Sequence, residues 1–167
     1  MMKTKVIRLV LGFLPAFAAW QLQAQSDEQM ARVFEWKFLM DAPDAGFVPM
    51  PEMGGWEEPA TQSKVVCMAT PVSYTRMIED LEALQSEEGQ RVLEKRVLDL
   101  NGVNGLLMLL EFAPVAGEDT EMTYTLMFVR PFEEYVLVLN AQYPKTEHER
   151  LYTKMLATFA SVRKKDP

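Results

Sequence analysis

The fold class is decided by the stretch from Arg91 to Phe112, which reads RVLEKRVLDL-NG-VNGLLMLLEF. Its Asn101-Gly102 dipeptide lies between two apolar segments, and this is the strongest short-range signal of a β-hairpin. The second segment contains the unbroken apolar run from Leu106 to Leu110, which is typical of a central strand covered on both faces. The sequence therefore predicts a hairpin of strands 91–100 and 103–112.

A second hairpin and a closing helix follow on the C-terminal side. After a polar loop over 114–120, we predict strands at 121–130 and 135–143, joined across 131–134. Thr146-Glu147-His148-Glu149 has the spacing of a capping box, which opens a helix. The predicted helix has a buried stripe formed by Leu151, Met155, Leu156 and Phe159.

The segment before the first hairpin predicts two strands and one helix. Val33 to Met40 is rich in Phe and Trp and suits an opening strand, and Gln62 to Ala69 suits a second. Apolar residues recur at helical spacing between Tyr74 and Glu88, with Ser73 as the N-cap and Gly89 as the C-terminal stop. Because hairpin-linked strands favour an antiparallel sheet, the predicted fold class is α+β, with an antiparallel β-sheet and flanking helices.

A loop rich in proline and glycine is predicted over 42–59. We expect no regular element there, because proline fixes φ and lacks the backbone N–H donor. Phe47 and Trp56 make the loop too apolar for a flexible linker, so we expect it to be ordered and packed on the domain. Binding residues concentrate on loops held by a rigid scaffold, and large aromatic side chains dominate interfaces. Phe47 and Trp56 are therefore candidate partner-binding residues; the alternative is that both rings cap the end of the sheet.

Several turn and core positions support a resemblance to a known family. They are Gly54-Gly55-Trp56, the strand and helix from Val65 to Leu84, the turn from Leu100 to Gly105, the strand end from Ala141 to Pro144, and the closing helix near Met155 to Ser161. From Trp36 to Val162 the chain resembles the PsbP-like fold family, which includes photosystem-associated lumenal proteins, bacterial envelope proteins and Ran-binding relatives. The long loop before Trp56 departs from the short opening turn of that pattern. The resemblance implies an antiparallel sheet between helices and a role in binding or assembly rather than catalysis.

The first 25 residues have the pattern of a secretory signal peptide. Three basic residues precede an apolar run from Leu9 to Trp20, and the small Ala24 precedes a polar stretch. The run is shorter than the ~20 apolar residues that span a bilayer. We expect residues 1–24 to be a cleaved signal, 25–35 a leader, and 36–163 a single α+β domain. A cut after Ala18 and a signal retained as an anchor are the alternatives.

Charge and cysteine content narrow the classes of partner. The signal holds three basic residues and no acidic one, so the remaining chain carries 14 basic and 24 acidic side chains, a net charge of −10. A field of that sign repels nucleic acid and anionic lipid headgroups. We expect no nucleic-acid partner and no stable membrane insertion after signal cleavage. The single Cys67 has no internal disulfide partner, and its apolar surroundings favour a buried thiol.

Patterns that indicate catalysis or metal binding are weak. His148 is the only histidine, and its place in the capping box favours a solvated residue at a helix start over a general base. No Gly-x-Ser-x-Gly elbow, Walker loop or zinc spacing is present. Calcium binding by 118–121, and Cu(I) binding by Met50 and Met53, which we expect to be exposed, are alternatives to a charged loop tip and to core packing. We therefore assign no catalytic residue, metal or cofactor.

The sequence thus predicts an exported, non-enzymatic protein of unknown specific role, in the periplasm or secreted. We expect a protein-binding or assembly module whose partner is another envelope or secreted protein. A carrier of a small apolar ligand and, third, a small hydrolase are the alternatives.

Overall fold

The computed structural model describes residues 38–50, 53–114 and 121–164. These residues form a seven-stranded antiparallel sheet, a two-stranded sheet and two α-helices. The elements are β1 (Phe38–Leu39), β2 (Val48–Met50), β3 (Gly55–Glu58), β4 (Ser63–Thr70), α1 (Tyr74–Ala83), β5 (Gln90–Leu100), β6 (Val103–Phe112), β7 (Thr123–Phe132), β8 (Tyr135–Pro144), a 3-10 turn (Lys145–Glu147), α2 (His148–Ala160) and β9 (Arg163–Lys164). The large sheet has the order β2-β3-β4-β8-β7-β6-β5, and β1 pairs with β9. The predicted α+β fold class is confirmed.

The first predicted hairpin is present and closes through a two-residue turn. Leu100 pairs with Val103 across Asn101 (φ 55°) and Gly102 (φ 81°). Two successive residues with positive φ are the requirement of a type I′ turn, and Asn-Gly meets it at the lowest steric cost. The run from Leu106 to Leu110 is buried throughout, as expected for a central strand.

The second hairpin is also present, with β7 shifted by two residues toward the turn and β8 one residue longer than predicted. Pro131 and Phe132 continue β7 and pair with Val136 and Tyr135. The turn shrinks to two residues, of which Glu133 has a positive φ of 52°. A proline near the end of a strand costs little stability, because its missing N–H has no ladder partner to satisfy there.

The two helices cover opposite faces of the large sheet. Alternate residues of β4 and of β6 to β8 form one buried cluster with α2, and the side chains in between lie on the other face, where α1 contacts β7. The buried residues that the helices contribute are Met77 and Leu81 from α1 and Leu151, Met155, Thr158 and Phe159 from α2. The core is therefore two-sided, which explains why β6 is apolar without alternation.

One predicted helix start and one predicted helix end need correction. Ser73 is the N-cap residue of α1 as predicted, although its side chain makes no capping hydrogen bond. The helix ends at Ala83 rather than near Glu88, and Gly89 (φ 81°) instead turns the chain into β5. Thr146 forms no capping box; its Oγ1 donates to Glu121 Oε2 at 3.1 Å, and a 3-10 turn precedes α2. A tertiary contact thus replaces the predicted cap at Thr146, and the entry to β5 uses Gly89 in place of the predicted helix end.

The prediction that no regular element forms over 42–59 is wrong, because β2 and β3 make a hairpin there. Proline is tolerated since Pro49 lies in β2, at the edge of the sheet, where a missing N–H can face away from the ladder. Gly54 (φ 57°) supplies the turn. A Cβ on Gly55 would lie 2.0 Å from the Val65 carbonyl oxygen, so the close pairing of β3 with β4 requires glycine.

Of the predicted opening strand, the structure describes residues 38–40, where Phe38–Leu39 is strand and pairs with Arg163–Lys164 rather than with the large sheet. The earlier part of that prediction, 33–37, lies outside the described residues, as do the signal and leader segments. The predicted strand at 62–69 is confirmed as Ser63–Thr70.

Candidate functional site

The segment 38–46, here called the strap, runs antiparallel to α2 along its side. At one end Leu39 pairs with Arg163, just after α2. The Asp41 amide then donates to Ser161 Oγ at 2.9 Å. At the other end Asp44 accepts from Lys154 Nζ at 2.7 Å. The strap is therefore fixed to the helix at both of its ends.

A network centred on Arg150 joins the strap, the β2–β3 hairpin and α2. Arg150 contacts both carboxylate oxygens of Glu58, with Nη1 3.0 Å from Oε1, and it lies 3.3 Å from Asp44 Oδ2. Glu147 adds a contact to Arg150 Nε at 2.5 Å. The fork-shaped guanidinium suits such paired carboxylate contacts. The network holds the hairpin in one position against the helix.

The charges in this network stabilise each other. The hydrogen bond from Arg150 holds the pKa of Glu58 below its ordinary value, against the opposing effect of burial. Asp44 also has a lowered pKa, mainly because Lys154 and the Gly46 amide donate to its carboxylate. Glu58 is buried, with an exposed fraction of 8%. A buried carboxylate is costly unless a charged partner compensates it, which Arg150 does here.

The structure separates the two predicted partner-binding residues. Phe47 is buried in the main cluster, with an exposed fraction of 5%. Trp56 is half-buried, and its indole N–H donates to the Met40 carbonyl at 2.9 Å. This placement favours the alternative that both rings cap the end of the sheet. Their role in partner binding stays a prediction, and only Trp56 has surface to offer.

Three exposed apolar residues near this position were not singled out from sequence. Leu39 (42% exposed) precedes Met40 in the strap, Pro49 is exposed and pairs with Trp56 across the hairpin, and Val48 (44% exposed) lies on the opposite face of the hairpin. We define the strap surface as Leu39, Pro49 and Trp56. Local alternation does not reveal this surface, because alternation along 47–49 would place Pro49 on the same side as the buried Phe47.

His148 is not the solvated residue predicted at the helix start. Its ring lies against Tyr124, Tyr143 and Tyr152, with centroids 4.9, 5.9 and 5.1 Å away. Its Nδ1 is 3.2 Å from the buried Tyr143 hydroxyl. Burial lowers the pKa of His148, while Glu149 and Glu94 act in the opposite direction. The ring is an aromatic packing element, and burial raises the pKa of the Tyr143 hydroxyl that it contacts, which opposes formation of a phenolate nucleophile.

The structure describes all of the remaining sulfur candidates for metal binding or reactivity and part of the carboxylate candidate for calcium binding. Cys67 is buried as predicted, and burial raises the pKa of its thiol to about 12. Met50 and Met53 are both half-buried rather than exposed. The calcium candidate falls mostly outside the described residues, and within them no group of three His, Cys, Asp or Glu residues is placed to hold a metal ion. In the same part of the chain, neither helix combines the length and apolarity that crossing a bilayer demands.

Comparison with known proteins finds similarity of fold. No protein-family model matches it, and no curated protein matches it. Solved structures do: LpqN of Mycobacterium tuberculosis, involved in cell envelope biogenesis, has 13% identity and a TM-score of 0.51, covering 75% of this chain and 81% of its own. The Ran-binding protein Mog1p of Saccharomyces cerevisiae has 11% identity and a TM-score of 0.45 (72% and 86% covered), and the cyanobacterial PsbP of Synechocystis sp. PCC 6803 has 9% and 0.41 (78% and 83% covered). Such identities carry information about the fold alone. The resemblance to the PsbP-like fold is confirmed at the level of the fold.

Proposed function

We propose that this protein is an exported, non-catalytic binding module that docks another envelope or secreted protein through the strap surface. The observation that carries the proposal is a group of exposed apolar residues linked to one half-buried tryptophan: Pro49 pairs with Trp56, and Leu39 precedes Met40, whose carbonyl accepts from the Trp56 indole. The Arg150 network joins the β2–β3 hairpin to α2. Rigid aromatic and apolar anchors on a fixed scaffold lose little conformational entropy on binding.

Export is supported by the N-terminal sequence, with its basic start, apolar run and small residue before a polar stretch. The cell-envelope setting of LpqN is compatible with this location.

The test is crosslinking in cells that export the tagged full chain, followed by mass spectrometry of the captured proteins. Leu39→Asp changes the strap surface without touching the core. Val48→Asp is the matched control, because it introduces the same charge at nearly equal exposure on the opposite face of the hairpin. We expect one dominant partner whose recovery falls at least about tenfold in Leu39→Asp and stays near wild type in Val48→Asp.

Two outcomes would contradict the proposal. Equal loss of the partner in both variants would place the contact elsewhere. If no partner is captured and native mass spectrometry finds extra mass retained on the protein, the carrier of a small apolar ligand becomes the better explanation.

A further inference from the structure

Among the described residues three charged side chains are buried, and one of them lacks an ionic partner. Glu58 pairs with Arg150, and Glu111 pairs with two basic residues. Arg130, in β7, has an exposed fraction of 7%, and no carboxylate in the described part of the chain pairs with it. An arginine stays charged at every ordinary pH, and a buried charge without an ionic partner destabilises a folded chain. The position of Arg130 therefore points to an anion from outside the described chain.

The hydrogen bonds of the Arg130 guanidinium leave a donor without an acceptor. Its Nη2 donates to the Val162 carbonyl at 3.2 Å, just after α2, whereas the buried Nε–H has no acceptor. The Phe132 ring centroid lies 5.6 Å from the guanidinium carbon. The ring and the negative end of the α2 dipole offset only part of the charge, since such a dipole corresponds to about half an elementary charge. The Nε–H is thus available to a charged acceptor.

The surroundings of Arg130 favour an anion with one charge and an apolar tail. The rings of Phe132 and Phe38 meet edge to face with centroids 5.0 Å apart, and both pack against the main cluster. The two basic residues of β9, Arg163 and Lys164, are each already paired with a carboxylate. One guanidinium matches the charge and the planar shape of one carboxylate. A phosphate monoester would bring a second charge that no free cation of this group meets.

The Nε atom is closed to solvent, so an anion reaches it only when a neighbouring element moves. The β1–β9 pair adjoins the guanidinium, because Val162 immediately precedes β9 and Phe38 of β1 contacts Phe132. Each strand of this pair is two residues long. The ion pairs of β9 are largely exposed and therefore contribute little stability. Separation of β1 from β9 consequently breaks few stabilising contacts.

We propose that Arg130 binds the carboxylate of an aliphatic monocarboxylic acid through its Nε–H, with the apolar tail of the acid against Phe132 and Phe38. The bound acid neutralises the buried charge and gives the Nε–H its acceptor. None of these three side chains belongs to the strap surface, so the site goes beyond the docking role proposed above and does not depend on it.

The test is isothermal titration calorimetry of the purified exported chain with sodium octanoate. Two probes separate the parts of the ligand: 1-octanol has the same tail without the charge, and inorganic phosphate has charge without a tail. We expect octanoate to bind saturably at one site per chain, and each of the other two to bind at least about tenfold more weakly.

Two variants separate the guanidinium from the surface around it. Arg130→Met keeps an apolar stem and removes the charge, so we expect the octanoate Kd to rise about tenfold or more. Arg163→Met is the matched control, because it removes an exposed arginine from the adjoining β9, and we expect its octanoate Kd to stay within about threefold of wild type.

Three results would overturn the proposal. The first is a wild type that shows no saturable binding up to about 1 mM octanoate. The second is equal octanoate binding by wild type and Arg130→Met, which would indicate an adventitious additive only. The third comes from thermal unfolding without octanoate. Because methionine removes an uncompensated charge, we expect Arg130→Met to melt at or above the wild-type temperature, and a lower temperature would show that the folded chain itself already compensates the guanidinium.

Discussion

His148 illustrates how a single half-buried ring makes stability depend on pH. Burial lowers its pKa from the ordinary 6.5, so as pH falls the unfolded chain takes up a proton before the folded chain does. The contribution of the neutral ring to stability is therefore present above about pH 6.5 and is lost below it. We expect the free energy of unfolding of the wild type, relative to His148→Gln, to fall between about pH 7 and pH 5.

Urea unfolding at pH 8, 7, 6 and 5 measures this difference, and taking it relative to the variant cancels the titration of unrelated carboxylates. A difference that is constant with pH would show that the ring is solvated.

Residue environments were predictable where a local pattern sets them and not where distant segments meet. Cys67 was expected to be buried because its own neighbours are apolar, and it is. The surroundings of His148 come from β7, β8 and α2, and the Arg150 network joins the strap to residues about a hundred positions away. No spacing within one segment indicates such contacts.

At the scale of elements, the Arg150 network is the main attachment of the hairpin to α2. Arg150→Met leaves Glu58 buried without its charged partner, so we expect the free energy of unfolding to fall by about 1–3 kcal/mol. Urea denaturation with circular dichroism measures this change. Arg163→Met is the control, because Arg163 and Asp41 are both largely exposed, and we expect it to cost less than about 1 kcal/mol. Equal losses in the two variants would contradict the attachment role.

Elements were predicted best where a turn has strict backbone requirements. Asn101-Gly102 predicted the strand ends at the turn, Leu100 and Val103, correctly, and β5 begins one residue earlier than predicted. The β2–β3 hairpin was missed because proline was taken to exclude a strand, whereas an edge position accepts it. The length of α1 was overestimated at its C-terminal end, since Gly89 forms the entry to β5 rather than the end of the helix.

At the scale of the whole molecule, one continuous core on the α2 face joins β4, β6, β7, β8 and α2. We therefore expect two-state unfolding, with tryptophan fluorescence and far-UV circular dichroism giving the same midpoint. Leu107→Ala, at a fully buried position, should cost about 2–5 kcal/mol and move both midpoints together. Val48→Ala, on the exposed side of β2, should change stability by less than about 0.5 kcal/mol. Midpoints that separate in Leu107→Ala would indicate independently folding parts.

The order of strands was the part of the fold that sequence reasoning could not supply. The antiparallel class followed from the hairpins, but the pairing of β4 with β8 brings together residues about seventy positions apart, such as Cys67 and Leu139. Such pairing depends on the total burial of both faces, which no local signal reports.

Pro49 has a consequence for how far sheets of this kind can grow. Fibrils propagate because every added chain offers a fresh receptive edge to the next. Here β2 carries Pro49 at one border of the sheet, and β5 at the other border carries a β-bulge between Val92 and Glu94. Neither border offers a regular edge to an added chain, so growth of the sheet into an endless ribbon is disfavoured.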